Sequence, residues 1–189
     1  MNKRSATFAM GMTLAAVLLM PCNGRAVERD ASNYVGVKTC GICHKQEASG
    51  NQLAIWEKSP HAKAFATLGT PEAKEIGKKA GVDDPQKSGK CLKCHSTAYN
   101  FTETQATEKI KLEDGIVCES CHGPGKKYMN KSTMEDRQKA VAAGLVYPAT
   151  ESCKLCHNAE SPTFKGFDEK AAVAKIAHPD PKVKQSFWH

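Results

Sequence analysis

Four times the sequence sets two cysteines three positions apart and follows the second at once with a histidine: Cys40, Cys43 and His44; Cys91, Cys94 and His95; Cys118, Cys121 and His122; Cys153, Cys156 and His157. The spacing Cys-x-x-Cys-His is that of c-type haem attachment. Two thiols at that separation reach the two vinyl groups of one porphyrin as thioethers, and the adjacent histidine turns its imidazole onto the iron. A four-cysteine zinc ribbon also uses Cys-x-x-Cys pairs, and a redox dithiol uses one. Neither requires a histidine after every second cysteine, and a thioredoxin-like dithiol occurs once, beside a βαβ pattern. Four copies point to four covalently attached haem c groups.

Four six-coordinate irons take eight axial ligands, of which the motif histidines supply one each. Only His61, His178 and His189 remain, so one chain cannot make all four sites bis-histidine. His61 follows Ser59-Pro60 at the start of a helical turn, from which an imidazole projects onto an iron held elsewhere; imidazole is a standard axial donor. Its alternative is an ordinary surface histidine. His178 stands before Pro179 at the end of the last expected helix, where its alternative role is a cation at the helix C-terminus. His189 is the final residue and the weakest candidate, with a neighbouring molecule as one target. Met129 and Met134 both lie just past the third motif. A thioether there completes a His/Met site of higher potential than a bis-histidine one, or simply fills a gap against porphyrin. An iron with no sixth ligand is open to a small molecule.

The chain opens with Lys3 and Arg4, continues through an apolar run from Ala9 to Met20, and reaches Gly24-Arg25-Ala26. This is the pattern of a secretory signal peptide over residues 1–26. The apolar run is far short of the roughly 20 residues of a spanning helix, and Pro21 before Cys22 does not suit a lipoprotein signal. The mature chain, residues 27–189, then keeps eight of the nine cysteines, the number that four haems consume. No thiol is left for a disulfide, although the exported setting permits one. The leader also removes Lys3, Arg4 and Arg25 from the 27 basic side chains and none of the 20 acidic ones, leaving a balance of +4. Eight haem propionates bring the holoprotein near neutral or mildly acidic, so the formal charge of +7 does not signal a nucleic-acid partner.

Each haem has roughly 41 residues of mature chain around it, too few for an ordinary apolar core within one domain. Two Trp, five Phe and four Tyr make up the aromatic content of that region. Most buried apolar area must therefore come from porphyrin, and folding is coupled to haem as it is to a structural metal. The expected class is mainly α, with little β structure and a core built from four haems.

The elements that must position the motifs are short. Cys40 to Lys58 reads mostly as helix, broken at Ser59-Pro60-His61 and briefly continued over Ala62 to Leu68. Thr70-Pro71-Glu72 starts another helix that Gly81 ends. Tyr99 to Lys111 mildly favours extended chain. Gly123-Pro124-Gly125 forces a turn after the third motif. Ser132-Thr133-Met134-Glu135 fits a capping box for a helix running to about Ala143, with Gly144 as its stop. Thr150 caps the helix of the fourth motif, Ser161 to Phe167 is a loop, and Asp168 caps a last helix ending at His178. The motif spacing is unequal, so the chain is not a solenoid.

Lys38-Thr39 before the first motif, the segment Trp56 to Ala64 (WEKSPHAKA) and Cys118 to Gly125 (CESCHGPG) resemble the tetrahaem cytochromes of the cytochrome c five-five-four type, which accept electrons from hydroxylamine oxidoreductase in ammonia-oxidising bacteria. The resemblance spans roughly Val37 to Pro179. It implies closely spaced haems, mostly bis-histidine with one five-coordinate, on a mainly helical scaffold. By position His61 is similar to the distal histidine after the first motif, and His178 to the one near the C-terminus. The chain departs from the pattern between Lys126 and Arg137, where the family has a histidine and this sequence offers Met129 and Met134.

The function expected is electron relay in the periplasm or at the outer cell surface, between redox proteins of the periplasm or inner membrane. Docking is expected to be transient, by a monomer or weak oligomer with no membrane span in the mature chain. Two rivals stand beside it. One is a haem enzyme that reduces a small nitrogen or sulfur species at a five-coordinate iron, against which the sequence offers no distinct catalytic set. The other is a subunit of a conducting assembly in which His189 or another histidine ligates the next subunit's iron.

Overall fold

A computed structural model describes residues 30–101, 108–147, 150–178 and 181, and every regular element among them is helical. The expected leader over residues 1–26, the mature start at Val27, Pro179 and His189 lie outside the described residues. Among the described residues no helix is long and apolar enough to cross a membrane. The ten α-helices are α1 (Val37–His44), α2 (Gln52–Lys58), α3 (Ala64–Thr67), α4 (Pro71–Lys79), α5 (Gly89–His95), α6 (Cys118–His122), α7 (Lys131–Met134), α8 (Arg137–Ala142), α9 (Thr150–Lys154) and α10 (Glu169–Ile176), with short 3₁₀ turns between them.

The first motif lies on α1 and the segment after it is not one helix. Gly50 at φ 97° and Asn51 at φ 48° stop the chain and restart it as α2. The break has a use, because α2 doubles back on α1 where Gly41 leaves room; a Cβ there would stand 2.9 Å from Leu53 Cδ2. Thr70 caps α4 by accepting from the Ala73 N–H at 3.2 Å, with Pro71 in the first turn as the sequence predicts. The expected single helix after the third motif is two: α7 ends at Met134, and Asp136 caps α8 by accepting from the Lys139 N–H at 3.1 Å. An N-cap needs extended backbone, and Asp136 takes it where the capping-box reading has helix. Gly144 at φ 106° ends α8, and Asp168 caps α10, which stops at Ile176, two residues short of His178.

The extended chain expected over Tyr99 to Lys111 is a 3₁₀ turn at Ala98–Asn100 and turns at 108–110, with 102–107 outside the described residues. Its aromatic residues serve packing instead. Phe101 meets Tyr34 edge to face at 4.5 Å, and with Ala31, Ala98, Ile110 and Val117 they form a small core flanked by Val37, Trp56 and Leu112. Two of its members stand just before motif helices in the chain, Tyr34 ahead of α1 and Val117 ahead of α6.

Candidate functional site

Three of the four motifs run to the end of their helices, with His44 closing α1, His95 closing α5 and His122 closing α6. The fourth begins in the last turn of α9 at Cys153, while Cys156 and His157 lie in the turn beyond it. No disulfide joins any of the eight motif cysteines.

The imidazoles are held by their inner nitrogens. His95 Nδ1 lies 2.8 Å from the Ala64 carbonyl, His122 Nδ1 3.0 Å from that of Val146, and His178 Nδ1 2.8 Å from that of Ile176. A carbonyl only accepts, so in each ring Nδ1 donates and Nε2 is left with its lone pair. His44 Nδ1 meets Gln52 Oε1 at 3.2 Å, and the Gln52 amide NH₂ is committed to the Ser49 carbonyl, which turns its oxygen to the ring. This is the orientation that metal-binding histidines need. Val146 grips His122 twice, because its own N–H donates to the His122 carbonyl at 2.9 Å. Tyr147, next in the chain, lies under the Arg137 guanidinium at 4.7 Å.

The further histidines face motif histidines. The rings of His61 and His157 have centroids 6.1 Å apart with planes inclined by 65°, and those of His122 and His178 are 5.8 Å apart at 75°. A first-row metal with an imidazole nitrogen about 2 Å away on each side separates the two ring centroids by about 6 Å. Both pairs therefore fit a metal between them. Burial holds the His61 and His122 imidazoles below their ordinary range; His157 acts the same way on His61, as do His178 and His44 on His122, against the Val146 hydrogen bond. The neutral ring is the metal-binding form. Phe167 stacks on His157 at 4.7 Å, fixing its outer face.

The motifs also touch one another. Cys40 and Cys118 interact directly: their hydrogen bond, with burial, drives the Cys40 thiol far up, and the same bond holds that of Cys118 down against the effect of burial. Cys121 is pushed up to about 11 by burial and then by Cys153. Lys93, within the second motif, pairs with Glu160, three residues past His157. Met129 follows the third-motif turn and is exposed, and Met134 ends α7 half-buried.

Several positioning residues carry no signal in the sequence. Thr97 is 1% exposed; its hydroxyl donates to the Gly115 carbonyl at 3.1 Å, accepts from the Val117 N–H at 2.9 Å, and with its hydrogen so used accepts from Ser120 at 2.6 Å. That single side chain ties the end of the second motif to the start of the third. Gln52, Val146 and Phe167 are likewise unremarkable in sequence and set ring orientation in space.

Short helices that end in Cys-x-x-Cys-His, with imidazoles braced at Nδ1, define a c-type cytochrome. The comparisons agree. Residues 39–123 match the family described as cytochrome c554 and c-prime. Cytochrome c-554 of Nitrosomonas europaea is 31% identical over 169 residues, covering 81% of this chain and 69% of that protein. The chain belongs to the cytochrome c-554 family, whose members are electron carriers with covalently bound haem c. No solved structure matches the chain.

Proposed function

We propose that the chain is an exported tetrahaem electron relay, with a signal peptide over residues 1–26 and a tetrahaem domain over 27–189. The observation that carries this reading is the pair of facing imidazoles, His61 with His157 and His122 with His178, at separations that suit an iron between them. Each haem, when bound, supplies a one-electron ferric–ferrous couple. The cysteine pairs Cys40/Cys43, Cys91/Cys94, Cys118/Cys121 and Cys153/Cys156 anchor the four porphyrins, and His44, His95, His122 and His157 present Nε2 to the irons. His61 closes the fourth site and His178 the third. The described histidines are then used up, so the first and second sites take Met129, Met134 or His189 as sixth ligand, or stay open.

Contacts between motifs suggest the order of the relay. Cys40 beside Cys118, Cys121 near Cys153, and Lys93 paired with Glu160 support a path first–third–fourth–second. The chain's part is to hold the haems close, fix their axial rings and exclude water, which sets the potentials. Its partners are redox proteins of the periplasm or inner membrane, met in brief encounters.

The test is intact mass together with haem quantification of the purified protein. Four haems on a chain beginning near Val27, with at least two low-spin bis-histidine EPR signals, are expected. Three haems or fewer, or no bis-histidine signal, overturns the proposal.

A further inference from the structure

Glu119 is one of the two variable residues inside the third Cys-x-x-Cys-His motif, yet it is 2% exposed. Acidic side chains are almost never fully buried unless paired, and none of the ion pairs among the described residues includes this one. Its partners are backbone N–H groups. Oε1 accepts from Gly125 at 2.7 Å and Val35 at 3.0 Å, and Oε2 accepts from Gly36 at 2.9 Å and Val35 at 3.2 Å. Both oxygens accept from backbone N–H donors, an arrangement that favours the carboxylate form.

The three donors come from two remote places. Val35 and Gly36 immediately precede α1, which carries the first motif, and Gly125 closes the turn after the third. The fit is tight: a Cβ on Gly125 would meet Val35 Cγ2 at 2.8 Å and Glu119 Oε1 at 3.1 Å. Beside this carboxylate Cys40 and Cys118, one thiol from each motif, interact directly. The field of the charge is felt nearby, since after burial it is the next cause pushing the Tyr128 phenol up. Tyr128 in turn donates to the Gly123 carbonyl at 2.6 Å, within the same turn.

We infer that Glu119 is a positioning residue shared by the first and third haem sites, a buried anion without a cationic partner that favours ferric iron at both and locks their two helices together. A negative charge in a poorly screened interior opposes reduction of a nearby iron, because reduction removes positive charge that the anion stabilises. This inference rests on the tetrahaem reading, which haem counting on the unaltered protein tests separately.

The experiment is a spectroelectrochemical titration of the holoprotein, unaltered and as Glu119→Gln, with haem content measured on both. Glutamine keeps the shape and removes the charge. The expected result is that two of the four midpoints rise, each by about tenfold in the ferrous-to-ferric ratio, or 59 mV for one electron, with the other two in place. Four unchanged midpoints, or a uniform shift of all four, in a fully loaded variant overturns the inference. If Glu119→Gln loads fewer haems, Glu119→Asp decides: it keeps the charge and strains the backbone bonds. The same two midpoints should then stay put while the thermal midpoint falls. A rise of those midpoints as large as that expected for Gln would overturn the electrostatic role.

Discussion

The backbone N–H of Ile116 donates to the carbonyl of His61 at 3.0 Å, tying the chain that enters the third motif to the turn that carries the His61 imidazole. Close approach at this point depends on Gly115. Its φ of 67° with ψ of −136° is a conformation essentially confined to glycine, and a Cβ there would stand 2.7 Å from the His61 carbonyl oxygen. Gly115→Ala should cost about 1–3 kcal/mol from the backbone alone, lowering the thermal midpoint by about 2–12 °C. It should also push the His61 turn away. The expected spectrum of the ferric holoprotein gains a high-spin EPR signal although no ligand has been replaced. A variant as stable as its parent, with an unchanged spectrum, would contradict this role.

Trp56 completes the same junction from the other side, its indole N–H donating to the Ile116 carbonyl at 2.8 Å. Trp56→Phe keeps most of the apolar body against the small core and leaves the carbonyl without that donor. The expected loss is about 1 kcal/mol, the lower end for a partly buried group. Chemical denaturation of the two holoproteins should show a lower midpoint with the same slope. A change of slope instead would mean that the variant alters the compactness of one of the end states.

The attachment chemistry is legible in the sequence because Cys-x-x-Cys-His is local, and so is the histidine count: seven is one fewer than two for each of four motifs. The caps at Thr70 and Asp168 and the stops at Gly81 and Gly144 are legible for the same reason: each is decided within a few residues. What fails is decided at a distance. The chain breaks at Gly50-Asn51 so that α2 can return to α1 and Gln52 can reach His44. Asp136 interrupts an apparent helix that ends beside the chain gripping His122. Neither the pairing of His61 with His157 nor the burial of Glu119 has a local signature, since both depend on which turns meet across the haem sites.

Haem removal tests how much of this arrangement the chain sustains alone. The described core cluster has only six buried members, of which Ile110 and Val117 are the largest fully buried side chains. Ile42 and Leu155, inside the first and fourth motifs, are 66% and 67% exposed. Binding that is confined to the folded state adds directly to its stability. Chain expressed without haem attachment, or with the eight motif cysteines changed to Ser, should therefore show no cooperative thermal transition and little near-ultraviolet dichroism. A sharp transition in the haem-free chain would show that the protein packing suffices without porphyrin.

Replacing the distal histidines one at a time distinguishes the two facing pairs. His61→Ala should open one iron, the partner of His157, and His178→Ala a different one, the partner of His122. In low-temperature EPR each variant should lose one low-spin bis-histidine signal and gain one equivalent of high-spin ferric iron, and the double variant should lose two. The changes should add, because the two ring pairs share no histidine. Exogenous imidazole should restore the missing low-spin signal in each single variant, which a merely misfolded site would not allow. If both substitutions removed the same signal, the pairing read from the ring separations would be wrong. The weak far-red band of methionine-bound ferric haem gives an independent check on Met129 and Met134. Where the band is present in the unaltered protein, it should persist in both histidine variants and disappear in Met129→Leu or in Met134→Leu.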